Sequence, residues 1–112
     1  LRHRLEEEGY HLLFSGTLQE VEEMIRREKI HVALIDLTGL KMEGLRIIKA
    51  IQRAASSTQI ITINTADQLS LSIEMMKLGV FDDFLVPIEV DSLMERIRTA
   101  VDRKKDIDLL SD

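Results

Sequence analysis

The stretch Ile30-His31-Val32-Ala33-Leu34-Ile35-Asp36 decides the fold. Val32 to Ile35 is continuously apolar, with no alternation. A strand with one wet face alternates. A strand covered on both faces does not, and parallel sheets flanked by helices cover both. Asp36 closes the run. A carboxylate directly after four apolar strand residues is costly to bury, which places it at the exposed carboxyl end of the strand. On chemistry alone, Asp36 is explained as well by a loop-entry or capping role as by a functional one.

Upstream, Thr17-Leu18-Gln19-Glu20 has capping-box spacing, in which the Thr hydroxyl and the Glu carboxylate each satisfy a backbone N–H. Leu18, Val21, Met24 and Ile25 then share one helical face, and Lys29 brings positive charge to the carbonyl end. Before that, Tyr10–Phe14 is an apolar run ended by Ser15-Gly16, which predicts a strand. Leu1–Glu8 predicts a helix that Gly9 can terminate.

Downstream, Leu45, Ile48 and Ile51 lie at helical spacing within Glu43–Ala54. Gln59–Asn64, with Ile60, Ile61 and Ile63, predicts a strand. Leu69, Ile73 and Met76 mark a helix that Gly79 can end, and Met75 and Met76 are core or interface residues. Phe81–Val86 contains a strand stopped by Pro87. Asp91 can cap a last helix with Leu93, Ile97, Ala100 and Val101 inward. Asp102–Asp112 predicts a frayed helix end or a linker. The order is α-β-α-β-α-β-α-β-α. Strands separated by helices indicate right-handed βαβ units and a parallel sheet.

The 112 residues suffice for one domain, and 15 basic against 20 acidic residues give a net charge of −5. That balance argues against direct nucleic-acid binding, which usually shows a basic stripe. With no Cys, disulfides and thiolate zinc sites are excluded. No apolar run approaches the roughly 18 residues needed to span a bilayer. No signal peptide is visible, and a cytoplasmic domain is the simplest expectation.

In an open parallel sheet, ligands bind beyond the carboxyl ends of the strands. Asp36, then Asn64 or Thr65, then Val86-Pro87 fall there. His3, His11 and His31 are scattered, and each is better explained structurally. No glycine-rich nucleotide loop and no serine nucleophile elbow is present, and no nucleophile–base pair can be named, so no dedicated enzyme is expected.

Along nearly its whole length the chain resembles the receiver domain of two-component response regulators. Val32-Ala33-Leu34-Ile35-Asp36-Leu37 with Met42-Glu43-Gly44 is similar to the family's phospho-acceptor loop. Leu78 through Leu93, with Phe81-Asp82-Asp83-Phe84-Leu85-Val86-Pro87 at its centre, resembles its fifth strand, proline turn and last helix. Leu5-Glu6-Glu7-Glu8-Gly9-Tyr10 resembles the end of its first helix. The resemblance implies a flavodoxin-like, doubly wound α/β fold of three layers. It implies that Asp36 accepts a phosphoryl group from a histidine kinase or phosphotransfer protein. It further implies that Thr65 supplies a phosphoryl-sensing hydroxyl, that Phe84 is the switch aromatic, and that Mg²⁺ is bound by Asp36 and the backbone carbonyl of Thr38. The last two helices and last strand would relay the signal to an output domain or a receiver homodimer.

The departures are specific. The first strand and its acidic pair, which in the family precede a segment like Leu1–Glu8, are missing from the sequence given, so residues 1–104 are expected to be a truncated receiver and 105–112 a tail or linker. Val86 stands where the family has a lysine before the proline, and Gly39-Leu40 where it has Met-Pro. Two other readings compete. One is a phosphorylation-independent pseudo-receiver docking through Leu69–Lys77 and Asp91–Arg103. The other is a STAS-like partner-switching domain, suggested by Ile35-Asp36-Leu37-Thr38-Gly39-Leu40.

Overall fold

The computed structural model describes residues 1–40 and 42–111, with the side chain of Ser111 left aside. Its elements are α1 (Arg2–Glu7), α2 (Leu18–Arg27), β1 (Val32–Asp36), α3 (Met42–Ala54), β2 (Gln59–Asn64), a 3₁₀ turn (Ala66–Gln68), α4 (Leu69–Lys77), β3 (Asp82–Leu85) and α5 (Val90–Ser111). The three strands are parallel in the order β1-β2-β3, with Asp36 opposite Ile63 and Ile63 opposite Phe84.

Two apolar layers sandwich the sheet, so this is a three-layer α/β/α fold. On one face Ile35, Ile60 and Leu37 pack with Ile47, Ile48 and Ile51 of α3, Met75 of α4, and Leu18, Val21 and Ile25 of α2. On the other, Ile61 packs with Leu5 of α1 and with Leu93, Met94, Ile97 and Ala100 of α5. The unbroken apolar run of β1 is explained by this double coverage: Ala33 serves one layer, Val32 and Leu34 the other.

Local signals account for most boundaries. Thr17 caps α2 by accepting the Glu20 N–H at 3.1 Å. The expected reciprocal bond is different: the Glu20 carboxylate accepts from the Thr17 hydroxyl, while Thr17 N–H donates to Ser15 Oγ. Gly9 and Gly79 follow α1 and α4 at φ of 87° and 89°, the left-handed geometry that ends helices. The Val86–Pro87 peptide bond is cis.

Several expectations are corrected. Tyr10–Phe14 is irregular chain, so among the described residues three strands form, not four. A strand needs a backbone ladder, and among the described residues the backbone bond from this run goes from Tyr10 N–H to Leu5 O, within its own neighbourhood. Tyr10 and Leu12 still pack on the α1/α5 layer. The α5 cap is Glu89, not Asp91: its carboxylate accepts the N–H groups of Asp91 at 3.2 Å and Ser92 at 2.9 Å, while Asp91 pairs with Arg4 at 2.9 Å. Residues 102–111, expected as a frayed end or linker, continue α5 as helix.

The helix α4 is turned differently from its apolar pattern. Leu69, Ile73 and Met76 are 63%, 50% and 52% exposed, whereas Ser72 and Met75 point inward. The sheet beneath supplies the reason. Thr62 and Asn64 share the face of Ile60, both fully buried, and Asn64 Nδ2 donates to Ser72 Oγ at 3.2 Å. Buried amide and hydroxyl groups need partners, and that need rotates a serine inward.

Candidate functional site

The carboxyl ends of the three strands converge. Leu37 N–H donates to Ile63 O at 2.8 Å, and Val86 N–H donates to Asn64 O at 2.9 Å. These bonds bring the Asp36-Leu37-Thr38, Asn64-Thr65 and Leu85-Val86 segments to one rim. Lys41 lies outside the described residues.

Asp36 is exposed at that rim. Its Oδ1 accepts two bonds from Thr38, from the backbone N–H at 3.0 Å and from the hydroxyl at 2.7 Å. This side-chain-to-backbone turn fixes the carboxylate as the chain leaves β1. The next turn is equally fixed, because Gly44 approaches the buried Leu37 so closely that a Cβ there would lie 2.4 Å from Leu37 Cδ2.

Asn64 and Thr65 differ sharply. Asn64 is 0% exposed, and its Oδ1 accepts Thr65 N–H at 2.9 Å while Nδ2 donates to Ser72 and, at 3.5 Å, to Gln68 O. Thr65 is half-buried, precedes the 3₁₀ turn, and makes no capping bond with its side chain. Phe84 packs partly buried on the α1/α5 layer, beside Ile61 and away from the Thr62–Asn64 face.

Asp83 was not singled out by the sequence, yet its Oδ1 accepts from the buried Thr62 hydroxyl at 2.5 Å. Its neighbour Asp82 binds Arg96 Nε at 2.8 Å, and Arg96 lies 4.4 Å over the Phe81 ring. The available signal was alternation: adjacent acids opening a strand point to opposite faces and require separate partners.

Among the described residues, no three His, Cys, Asp or Glu side chains group so as to hold a metal. Mg²⁺ demands six oxygens in near-octahedral array, usually with one or two carboxylates. Asp36 offers one carboxylate, with one oxygen already accepting two bonds. These residues alone do not make a Mg²⁺ site.

Fold and rim together define a flavodoxin-like α/β domain with an acid at the carboxyl end of its sheet. A family model described as the response regulator receiver domain matches residues 1–98, and the chain belongs to that family. Receiver domains as a family bind Mg²⁺ and interact with histidine kinases or phosphotransfer proteins, and often with output domains. The chain is 24% identical over 100 residues to the transcriptional regulatory protein GlrR of Escherichia coli (strain K12), covering 89% of this chain and 22% of that protein. It is 27% identical over 84 residues to the response regulator protein PilR of Pseudomonas aeruginosa, covering 75% and 19%. It thus spans about a fifth of the length of these relatives. Among solved structures, it matches a response regulator receiver domain protein from Clostridium thermocellum (TM-score 0.83, 24% identity, 95% of this chain and 86% of that one). It also matches a CheY-like receiver domain protein from Methanospirillum hungatei JF-1 (TM-score 0.81, 23% identity, 94% and 84%). At such identities the structural matches speak for the fold. No helix among the described residues is long and apolar enough to cross a membrane.

Proposed function

We propose that this chain is a phospho-accepting receiver in the cytoplasm, with Asp36 as the acceptor. A carboxylate oxygen of Asp36 attacks the phosphorus of a kinase or phosphotransfer phosphohistidine. The P–N bond breaks, its electron pair stays on the imidazole, and an acyl phosphate forms. The observation that carries this reading is the exposed Asp36 carboxylate, held by Thr38 at the rim shared with Thr65 and Val86. The Thr65 hydroxyl, without a side-chain capping bond, is available to a phosphoryl oxygen. Phe84, at the edge of the α5 layer, is the aromatic whose repacking passes the change to the last helix.

In this proposal residues 1–104 form the receiver body, and the 105–112 segment, helical through 111, is the linker toward whatever is joined beyond it. The outer edge of β1 supports a further element. Alternate residues of a parallel strand bond to one side, so Ala33, Ile35 and Leu37 serve β2 while Val32, Leu34 and Asp36 turn outward. A first strand on that edge would complete the sheet, and an acidic pair at its end would supply the carboxylates that a Mg²⁺ site needs.

The test uses the full-length protein with Mg²⁺ and a small acyl phosphate, read by intact mass. One phosphate is expected on the wild type and none on Asp36→Asn. An unlabelled wild type, or equal labelling of the variant, overturns the proposal. A phosphorylation-independent docking module is the second reading. Val86 favours it, since an aliphatic side chain stands at the rim where the family has a phosphate-pairing lysine.

A further inference from the structure

At the opposite end of the sheet, the helix α5 is fastened by charge. Its inward stripe runs Leu93, Ile97, Ala100, all buried, and the next position on that stripe is Lys104, only 6% exposed. A buried ammonium is tolerated only when its donors are used. Lys104 Nζ donates to Ser57 Oγ at 2.8 Å and to Asp108 Oδ1 and Oδ2 at 2.9 and 2.7 Å. Asp108 also accepts from the Ser57 hydroxyl at 3.1 Å and pairs with Lys29 Nζ at 3.0 Å. Four residues from three parts of the chain therefore meet: the link into β1, the loop before β2, and two turns of α5.

We propose that the Lys29–Ser57–Lys104–Asp108 knot is a latch that holds the last turns of α5 against the amino-terminal end of the sheet, so that whatever is joined beyond α5 moves with the receiver body. The latch is needed because apolar burial thins toward that end: Ile107 is half-buried, and Leu109 and Leu110 beyond it are 75% and 87% exposed. At about 1.5 Å per residue, the 22 residues of α5 extend about 33 Å. A helix end without tertiary contacts frays. The carboxylate environment agrees with tight pairing, as bonds from Lys104 and then Lys29 hold Asp108 at a pKa of about 2. The latch does not depend on phosphorylation of Asp36, and its failure would leave the acceptor proposal standing.

This chain contains no cysteine, so Leu110→Cys in the full-length protein, with any cysteine outside this chain replaced by serine, carries a single spin label. The label is expected to move slowly in an otherwise native background and faster with Asp108→Asn or Lys104→Met. Amide exchange across residues 105–111 should rise about tenfold in both variants, while residues 93–100 keep their protection. Unchanged label motion and exchange in Asp108→Asn would overturn the latch. So would an equal rise through residues 93–100 and β2, which would make the knot part of the global core. If Lys104→Met fails to fold, Asp108→Asn and Ser57→Ala carry the test, since neither strips the ammonium of all its partners.

Discussion

The Thr38 hydroxyl donates to Asp36 Oδ1 at 2.7 Å, and the Thr38 backbone N–H donates to the same oxygen. One carboxylate oxygen is thus occupied twice, and Oδ2 is left as the freer nucleophile. Thr38→Val removes the hydroxyl bond and keeps the backbone one. A bond of this kind at an exposed site contributes about 0.5–1.5 kcal/mol, so acyl-phosphate labelling of Asp36 should slow roughly 2- to 10-fold. Thr38→Ser should restore it. Equal rates for wild type and Thr38→Val would remove Thr38 from the positioning of the acceptor.

Asn64 and Thr65 are adjacent but should separate cleanly. Asn64→Ala leaves Ser72 and the Thr65 N–H without their buried partner, and should lower unfolding stability by about 2 kcal/mol in urea titration. Thr65→Ala removes no capping bond and should stay within about 0.5 kcal/mol of wild type. If Thr65→Ala proves as damaging to the fold as Asn64→Ala, the hydroxyl is structural.

Gly44 owes its place to Leu37. A methyl group there meets Leu37 Cδ2 at 2.4 Å, and Leu37 is fully buried with little room to withdraw. Ala is the better helix former by about 1 kcal/mol, which partly offsets the clash. Gly44→Ala should still destabilise by about 1–2 kcal/mol. A stabilised variant would show that Leu37 can shift rotamer freely.

Two pH windows follow from the charged groups. Asp108, at about 2 in the fold against 3.8 ordinarily, contributes stability that is present above pH 3.8 and lost as pH falls through about 2. Asp108→Asn should flatten that part of the acid limb of thermal midpoint against pH. Burial, then Lys104, Lys105 and Lys29, lower the His31 pKa. The unfolded chain therefore binds a proton more readily, and stability declines as pH falls below about 6.5. His31→Gln should remove that slope, and an unchanged slope would assign it to another group.

Much of the fold was legible because the decisive signals were local. The apolar runs at Val32–Ile35 and Ile60–Ile63 needed no knowledge of their partners, and neither did the Thr17–Glu20 cap. Tyr10–Phe14 failed because its apolar character is real, as Tyr10 and Leu12 do pack, but a ladder depends on what lies beside it. The rotation of α4 failed for a related reason: Leu69, Ile73 and Met76 form the better apolar stripe, and only the buried Asn64 and Thr62 across the sheet explain why Ser72 faces inward. At the rim, the exposed strand-end position of Asp36 was readable from burial cost alone. The grip of Thr38 was not, because an Asp-x-Thr spacing serves equally as a turn or a cap.

The buried Lys104 ammonium also bears on where this chain can safely be cut. Apolar packing along α5 would place the end of the domain at about residue 104. A protein trimmed there would keep the ammonium and lose Asp108, its principal counter-ion, leaving a cation in a nearly closed site with one serine for company. The folding unit and the packing unit therefore have different ends, and the one set by charge lies four residues, about one helical turn, further on.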